Sequence, residues 1–83
     1  MKFNVYCMRD QITGYQTPTF ELNDAAAIRN FSYAIKQPNT LLFASAKDFD
    51  LMKIGEFDTE TGIIDPITPT LLIQGNSVVK GEK

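Results

Sequence analysis

Histidine is absent from this 83-residue sequence, and cysteine occurs only once, as Cys7. The lack of histidine excludes imidazole acid–base chemistry and histidine metal ligands, and a lone cysteine excludes an internal disulfide and a thiolate zinc site. The five glycines are isolated from one another, so a glycine-rich phosphate loop is missing as well. These absences predict that the protein is not an enzyme and that it uses neither a cofactor nor a metal ion.

Long apolar runs are also missing. No stretch approaches the roughly 18 residues that a membrane span needs, which predicts that the protein has no membrane contact. Residues 1–4 are not followed by the apolar stretch of a signal peptide, so we expect the chain to stay in the compartment where it is made. Its 43% hydrophobic and 22% charged residues are typical of a globular chain, and its length predicts one small domain with a thin core.

Two hairpins are predicted from alternating apolar residues and from turn signals. The first pairs a strand that ends near Arg9 with a returning strand over 15–22. Pro18 places this returning strand at a sheet edge, because proline lacks the N–H that a central strand needs. The second hairpin pairs 49–58 with 63–67, and Leu71 to Ile73 are expected to anchor an extended tail.

One helix is predicted between the hairpins. Asn23 or Asp24 caps its start, and Pro38 ends it near Gln37. The result is an α+β fold with the order β-β-α-β-β, in which a four-stranded antiparallel sheet, in strand order 2-1-3-4, carries the helix on one face. We expect a single domain over 1–75 and a flexible C-terminal tail over 76–83. The apolar stripe of the helix comprises Ala27, Ile28, Phe31, Ala34 and Ile35.

A single helix can cover only one face of such a sheet. Both alternating sets of strand residues contain large apolar side chains, so a monomer would leave one set in contact with water. The sequence therefore predicts a homodimer or another tightly bound partner, a two-fold dimer being the commonest solution. The expected dimer interface comprises Asn4, Tyr6, Met8, Met52 and Ile54.

The charges are unevenly distributed along the chain. The net charge of −2 argues against a nonspecific binder of duplex DNA, which would be clearly basic. Residues 25–47 contain Arg29, Lys36 and Lys47 and no acidic residue, whereas 48–65 contain six acidic residues and a single lysine, Lys53. This pattern predicts a positive and a negative patch that can orient an association, although scattered surface charge that keeps a small protein soluble would give the same pattern.

Basic and aromatic residues share the polar side of the predicted helix. Arg29, Tyr33 and Lys36 lie opposite the apolar stripe, where cations can meet phosphates and a ring can stack on a base of single-stranded nucleic acid. A solvated helix face would show the same residues. A second predicted set of nucleic-acid contacts lies on the strands, because sheet faces with aromatic residues can stack on unpaired bases. The alternative interpretation of Tyr6 is that it is buried in the dimer interface. This second set comprises Lys2, Tyr6, Arg9 and Lys53.

Short segments over most of residues 1–75 resemble a phage protein. The longest of them, over residues 48–64, reads DFDLMKIGEFDTETGII. The others are Asp10 with Gly14, Pro18, Asn23-Asp24-Ala25 and Arg29-Asn30-Phe31. In these segments the sequence resembles the small nonstructural protein of gokushovirus-type microviruses, which are single-stranded DNA phages.

The resemblance implies a nonstructural role in genome handling in the cytoplasm of the bacterial host. It implies DNA binding, or participation in single-stranded genome synthesis and packaging into the procapsid, and it assigns no role to individual residues. We therefore consider a dimeric phage protein that binds single-stranded DNA. The alternative is an adaptor that modulates a replication initiator or a host factor without touching DNA and docks through the acidic region 48–65.

Overall fold

A computed structural model, which describes residues 1–81, shows an antiparallel sheet with helices packed against one face. Three long strands lie side by side in the order β1 (Lys2–Asp10), β4 (Phe49–Asp58) and β5 (Ile64–Gln74). Two short strands, β2 (Gly14–Tyr15) and β3 (Thr19–Glu21), also pair with β1. The predicted α+β class is confirmed.

The sheet has five strands rather than the predicted four. The predicted returning strand over 15–22 is divided into β2 and β3 by three residues that belong to neither strand. Pro18 is one of these three, and its missing N–H is the physical reason for the break. The last strand is also longer than predicted, because Leu71 to Ile73 continue β5 instead of anchoring a tail.

The long helix agrees with the sequence prediction. Helix α1 (Asp24–Ile35) begins after Asn23, whose side-chain oxygen accepts a hydrogen bond from the Ala26 amide at 2.9 Å. The helix ends at Ile35, slightly before the predicted end near Gln37. Ala27, Phe31 and Ile35 are buried, as the predicted apolar stripe requires, and Ile28 and Ala34 are half-buried beside them.

Short helices replace several predicted irregular segments. They are α2 (Leu41–Ala44), a 3-10 helix (Ala46–Asp48) and α3 (Gly75–Val79). The prediction of a single helix is therefore wrong, and α3 occupies the first part of the predicted flexible tail over 76–83. Val78 is only 5% exposed and packs in the core, which holds α3 in place; Glu82 and Lys83 lie outside the described residues. Within residues 1–81, no helix is long and apolar enough to cross a bilayer.

The helices cover only part of the sheet. The core joins Phe31, Ile35 and Val78 of the helices to Tyr6 of β1 and Leu51 of β4. We call the region of the molecule around this core the helical half. It comprises the helices together with strand residues 6–10, 49–53 and 71–74. We call the remainder, strand residues 2–5, 54–58 and 64–70 with the turn at 59–63, the hairpin half. The two halves give a molecule with extents of 40 × 23 × 19 Å.

The five positions of the predicted dimer interface do not form one exposed face of the sheet. Tyr6 and Met8 pack in the core under the helices, and the Asn4 side-chain amide donates to the Tyr6 hydroxyl at 2.9 Å. Met52 is buried within the chain, and Ile54 is half-buried. Nothing in the described residues supports a dimer through these five positions.

The opposite face of the sheet is covered largely by the chain's own side chains. Val5, the direct neighbour of Phe20 across β1 and β3, is buried. The ring of Phe20 meets that of Phe57 edge to face, with centroids 5.5 Å apart. These aromatic rings shield Val5, but Phe20, Ile64 and Leu71 on the same face each keep about half of their surface exposed. A bound partner on this face stays a prediction.

Close backbone contact fixes α3 against the 3-10 helix. A Cβ atom at Gly75 would collide with the carbonyl oxygen of Ala46 and would lie 2.9 Å from that of Phe49. Since both obstacles are backbone atoms, a side chain at this position requires α3 to move. Glycine at 75 is therefore a condition for docking α3, and with it Val78, on the core.

We predict that Gly75→Ala lowers the free energy of unfolding by about 1–3 kcal/mol, because the added methyl group overpacks a backbone contact. Urea unfolding followed by circular dichroism measures this change. Asn76→Ala is the matched control, since Asn76 is exposed in the same helix. Equal stability of the two variants would show that α3 does not depend on this contact.

A buried tyrosine joins β1 to the start of α1. The Tyr6 hydroxyl donates to an Asp24 carboxylate oxygen at 2.6 Å, and Tyr6 has no exposed surface. Burial, reinforced by the hydrogen bond to Asp24, raises the pKa of Tyr6 from 10.0 to about 12. The protonated phenol is therefore the form that the fold stabilises.

We predict that the protein loses stability as the pH rises from about 10 towards 12, because the unfolded chain releases the Tyr6 proton before the folded chain does. This contribution is complete below pH 10. Tyr6→Phe should lack this component of the alkaline loss and should be less stable near neutral pH by about 1–2 kcal/mol, since the hydrogen bond is gone. Urea unfolding of both proteins over this pH range tests the prediction, and parallel pH profiles would contradict it.

Candidate nucleic-acid interface

Helix α1 presents a basic and aromatic surface on the side opposite its buried stripe. Arg29, Tyr33 and Lys36 follow one another at spacings of four and three residues, which places them along one line of the helix. All three are exposed, and Tyr33 exposes 69% of its surface. Within residues 1–81, neither Arg29 nor Lys36 has a carboxylate at ion-pair distance. We call these three residues the basic helix face.

The short helices bring two more lysines to the helical half. Lys47 lies in the 3-10 helix against which α3 packs, and Lys80 is the C-cap residue of α3. Val78 and Gly81, on either side of Lys80, line the same groove as Lys36. Sequence reasoning missed Lys80 because it assigned this residue to a flexible tail. The apolar pair that precedes it in the sequence was the signal that could have identified a docked helix.

Acidic side chains gather in the hairpin half and on the neighbouring strand β3. Asn4 of β1 pairs with Glu21 of β3 on one side and with Glu56 of β4 on the other, and Glu56 in turn pairs with Asp65 of β5. Three carboxylates therefore lie in one row across the sheet, and the end of β4 and its turn add further carboxylates. Four of the six carboxylates of the acidic region 48–65 thus lie in the hairpin half, whereas Asp48 and Asp50 lie in the helical half.

The two lysines predicted as strand contacts are not on the basic helix face. Lys2 pairs with Asp58 at the far end of the hairpin half, beside the acidic turn. Lys53 is half-buried in β4, and its cross-strand neighbours are Tyr6 and Thr70. Neither lysine extends the line of Arg29, Tyr33 and Lys36.

The prediction that Tyr6 contacts nucleic acid is wrong. Its ring lies in the core and its hydroxyl is held by Asp24, so no face of the ring is open to a base. The sequence pattern was misleading because Tyr6 is the central member of a strand set that faces α1.

Arg9, also predicted to contact nucleic acid, pairs instead with a buried carboxylate. Its guanidinium donates to an Asp50 carboxylate oxygen at 2.9 Å, and the Gln11 side chain donates to the same oxygen at 3.3 Å. Asp50 is 1% exposed, and its hydrogen bond raises the pKa of Arg9 above the ordinary value. Within residues 1–81, the second Asp50 oxygen has no hydrogen-bond partner. The ion pair with Arg9 is therefore the main compensation for burying the Asp50 charge. The charge of Arg9 is therefore committed to neutralising Asp50.

We predict that Arg9→Met destabilises the protein strongly, because it leaves the Asp50 carboxylate buried without a cation. The double variant Arg9→Met with Asp50→Asn should regain part of the lost stability, since the uncompensated charge is removed. Thermal unfolding of the wild type and the three variants (both single changes and the double) measures this coupling. Strictly additive effects of the two changes would show that the ion pair is unimportant.

The fold and these surfaces define a small, single-sheet α+β protein that carries opposite charges on its two halves. Among residues 1–81, no cluster of three Asp, Glu or Cys side chains is arranged to hold a metal ion. The family model described as Phage ORF5 protein matches residues 3–78, and the chain belongs to this family of phage proteins. No curated protein and no solved structure matches the chain. The phage origin predicted from the sequence is confirmed, whereas the narrower resemblance to microviruses stays a prediction.

Proposed function

We propose that this protein is a noncatalytic, nonstructural phage protein that binds single-stranded DNA through the basic helix face. It would act in the cytoplasm of the bacterial host, during synthesis or packaging of the viral genome. The observation that supports this proposal is the exposed line of Arg29, Tyr33 and Lys36, whose cations have no carboxylate at ion-pair distance within residues 1–81.

The dimensions of the basic helix face suit a short piece of a single strand. Arg29 and Lys36 are separated by about 10 Å along the axis, at roughly 1.5 Å per residue. This length spans two to three nucleotides at about 3.4 Å or more per nucleotide. Tyr33 lies between the two cations, so its ring can stack on a base while the cations contact the flanking phosphates.

The charge distribution favours local contact over wrapping. With a net charge of −2 and a row of carboxylates in the hairpin half, the protein repels a polyanion over much of its surface. The attractive surface lies in the helical half, where a flexible single strand can contact Arg29 and Lys36 while staying away from Glu56 and Asp65 of the hairpin half. A duplex is stiffer and wider, so it would meet more of the negative charge.

We predict that Arg29→Glu with Lys36→Glu abolishes binding of a fluorescent oligothymidylate at low salt, measured by fluorescence anisotropy. For the wild type, the logarithm of the binding constant should fall with the logarithm of the salt concentration, with a slope of about −0.7 per neutralised phosphate. Lys2→Glu with Lys53→Glu is the matched control, since it changes the net charge equally at sites away from the basic helix face. An equal loss in both double variants, or no binding by the wild type, would refute the proposal.

A second candidate function is supported by the hairpin half. The row of Glu21, Glu56 and Asp65 ends within the edge strand β5, where Ile64 and Ile67 of the hairpin half are also exposed. An acidic surface with exposed apolar residues is suited to docking on a basic protein, such as a phage replication or procapsid protein. In this alternative the protein is an adaptor that does not touch DNA.

Affinity capture from a nuclease-treated lysate of infected host cells separates the two functions. For an adaptor, we expect capture of a phage protein by the wild type and its loss in Glu56→Lys with Asp65→Lys. Arg29→Glu with Lys36→Glu should leave adaptor binding intact. The opposite pattern would exclude the hairpin half as the docking surface.

A further inference from the structure

A groove in the helical half adjoins the basic helix face. It lies between α1, the end of β5 and α3 and has a volume of about 330 Å³, at the lower end of the roughly 300–1,000 Å³ of small-molecule sites. Its walls are aliphatic, with one hydroxyl and one ammonium group at the helix side. The main lining residues are Ile28, Ser32, Lys36, Leu72, Ile73 and Val78.

Lys36 belongs both to this groove and to the basic helix face. A ligand that places an anionic group on Lys36 therefore brings its neighbouring group to the mouth of the groove. The neighbouring group must be largely apolar, because Leu72, Ile73 and Val78 offer no hydrogen bonds from their side chains. A single DNA strand has this chemistry, since each phosphate is followed by a flat base with apolar faces. In a duplex the bases are paired and stacked, so they are not available to the groove.

We infer that the groove accepts one unstacked base of a DNA strand whose phosphates lie on the basic helix face. This inference rests on the proposed function and adds a binding site to it. Ile28 and Val78 contact the faces of the base, and the half-buried Ser32 hydroxyl can bond its polar edge. The groove would thus add to the preference for single-stranded over double-stranded DNA that the charge distribution favours.

Insertion of a base into the groove can be distinguished from stacking of a base on Tyr33, because the groove is aliphatic and the Tyr33 ring is aromatic. An oligothymidylate with one 2-aminopurine is the probe, because stacking quenches the fluorescence of this base. Insertion between aliphatic side chains should raise the fluorescence several-fold, whereas stacking on the Tyr33 ring should not. The rise should be lost in Ser32→Phe, which fills the groove, and kept in Thr68→Phe, which adds the same bulk at an exposed site in the hairpin half. No rise with the wild type, or an undiminished rise with Ser32→Phe, would overturn the inference.

A second measurement does not use Ser32→Phe and so does not depend on the folding of that variant. The wild type should bind an abasic strand about tenfold more weakly, or more weakly still, than an oligothymidylate of equal length and charge, because the abasic strand lacks both the base in the groove and the base stacked on Tyr33. Tyr33→Leu should keep the part of this preference that the groove provides. If the wild type binds both strands equally and Arg29→Glu with Lys36→Glu abolishes binding, the proposed function stands and the groove is excluded. If the wild type binds neither strand, both proposals fail.

Discussion

The choice of which β1 side chains face α1 determines which polar groups of this protein are buried and which of its surfaces are exposed. Tyr6 fixes that side, because its ring fills the space under the helix and its hydroxyl reaches Asp24 in the first helical turn at 2.6 Å. Once Tyr6 faces the helix, Met8 must do so as well, since side chains two residues apart share a face. The same choice turns Arg9 away from the helix and towards Asp50. One phenol thus decides which polar groups are buried and which surfaces are open.

Local features of the fold were predictable from the sequence because their causes are local. The cap at Asn23, the buried stripe through Phe31 and the edge position around Pro18 each depend on residues a few positions apart. The burial of Tyr6 was not predictable in this way. Both alternating sets of β1 are apolar, and the group that decides between them, Asp24, lies 18 residues further along the chain.

The candidate site likewise has one part that was predictable from local sequence and one part that was not. The exposure of Arg29, Tyr33 and Lys36 follows from helical periodicity once the buried stripe is known. The groove beside them could not be predicted, because it requires Ile28 and Leu72, distant in sequence, to meet across the core. It also requires α3, whose docking depends on a glycine that appears in the sequence as an ordinary turn signal.

The separation of charge between the two halves also affects how the protein moves before any contact is made. The molecule is elongated, and its negative hairpin half lies away from its positive helices. In the electric field of a polyanion such a body experiences a torque that turns the helices forward. The protein therefore tends to meet a polyanion in one orientation. Although its net charge is slightly repulsive, it can still approach with its positively charged end towards the polyanion.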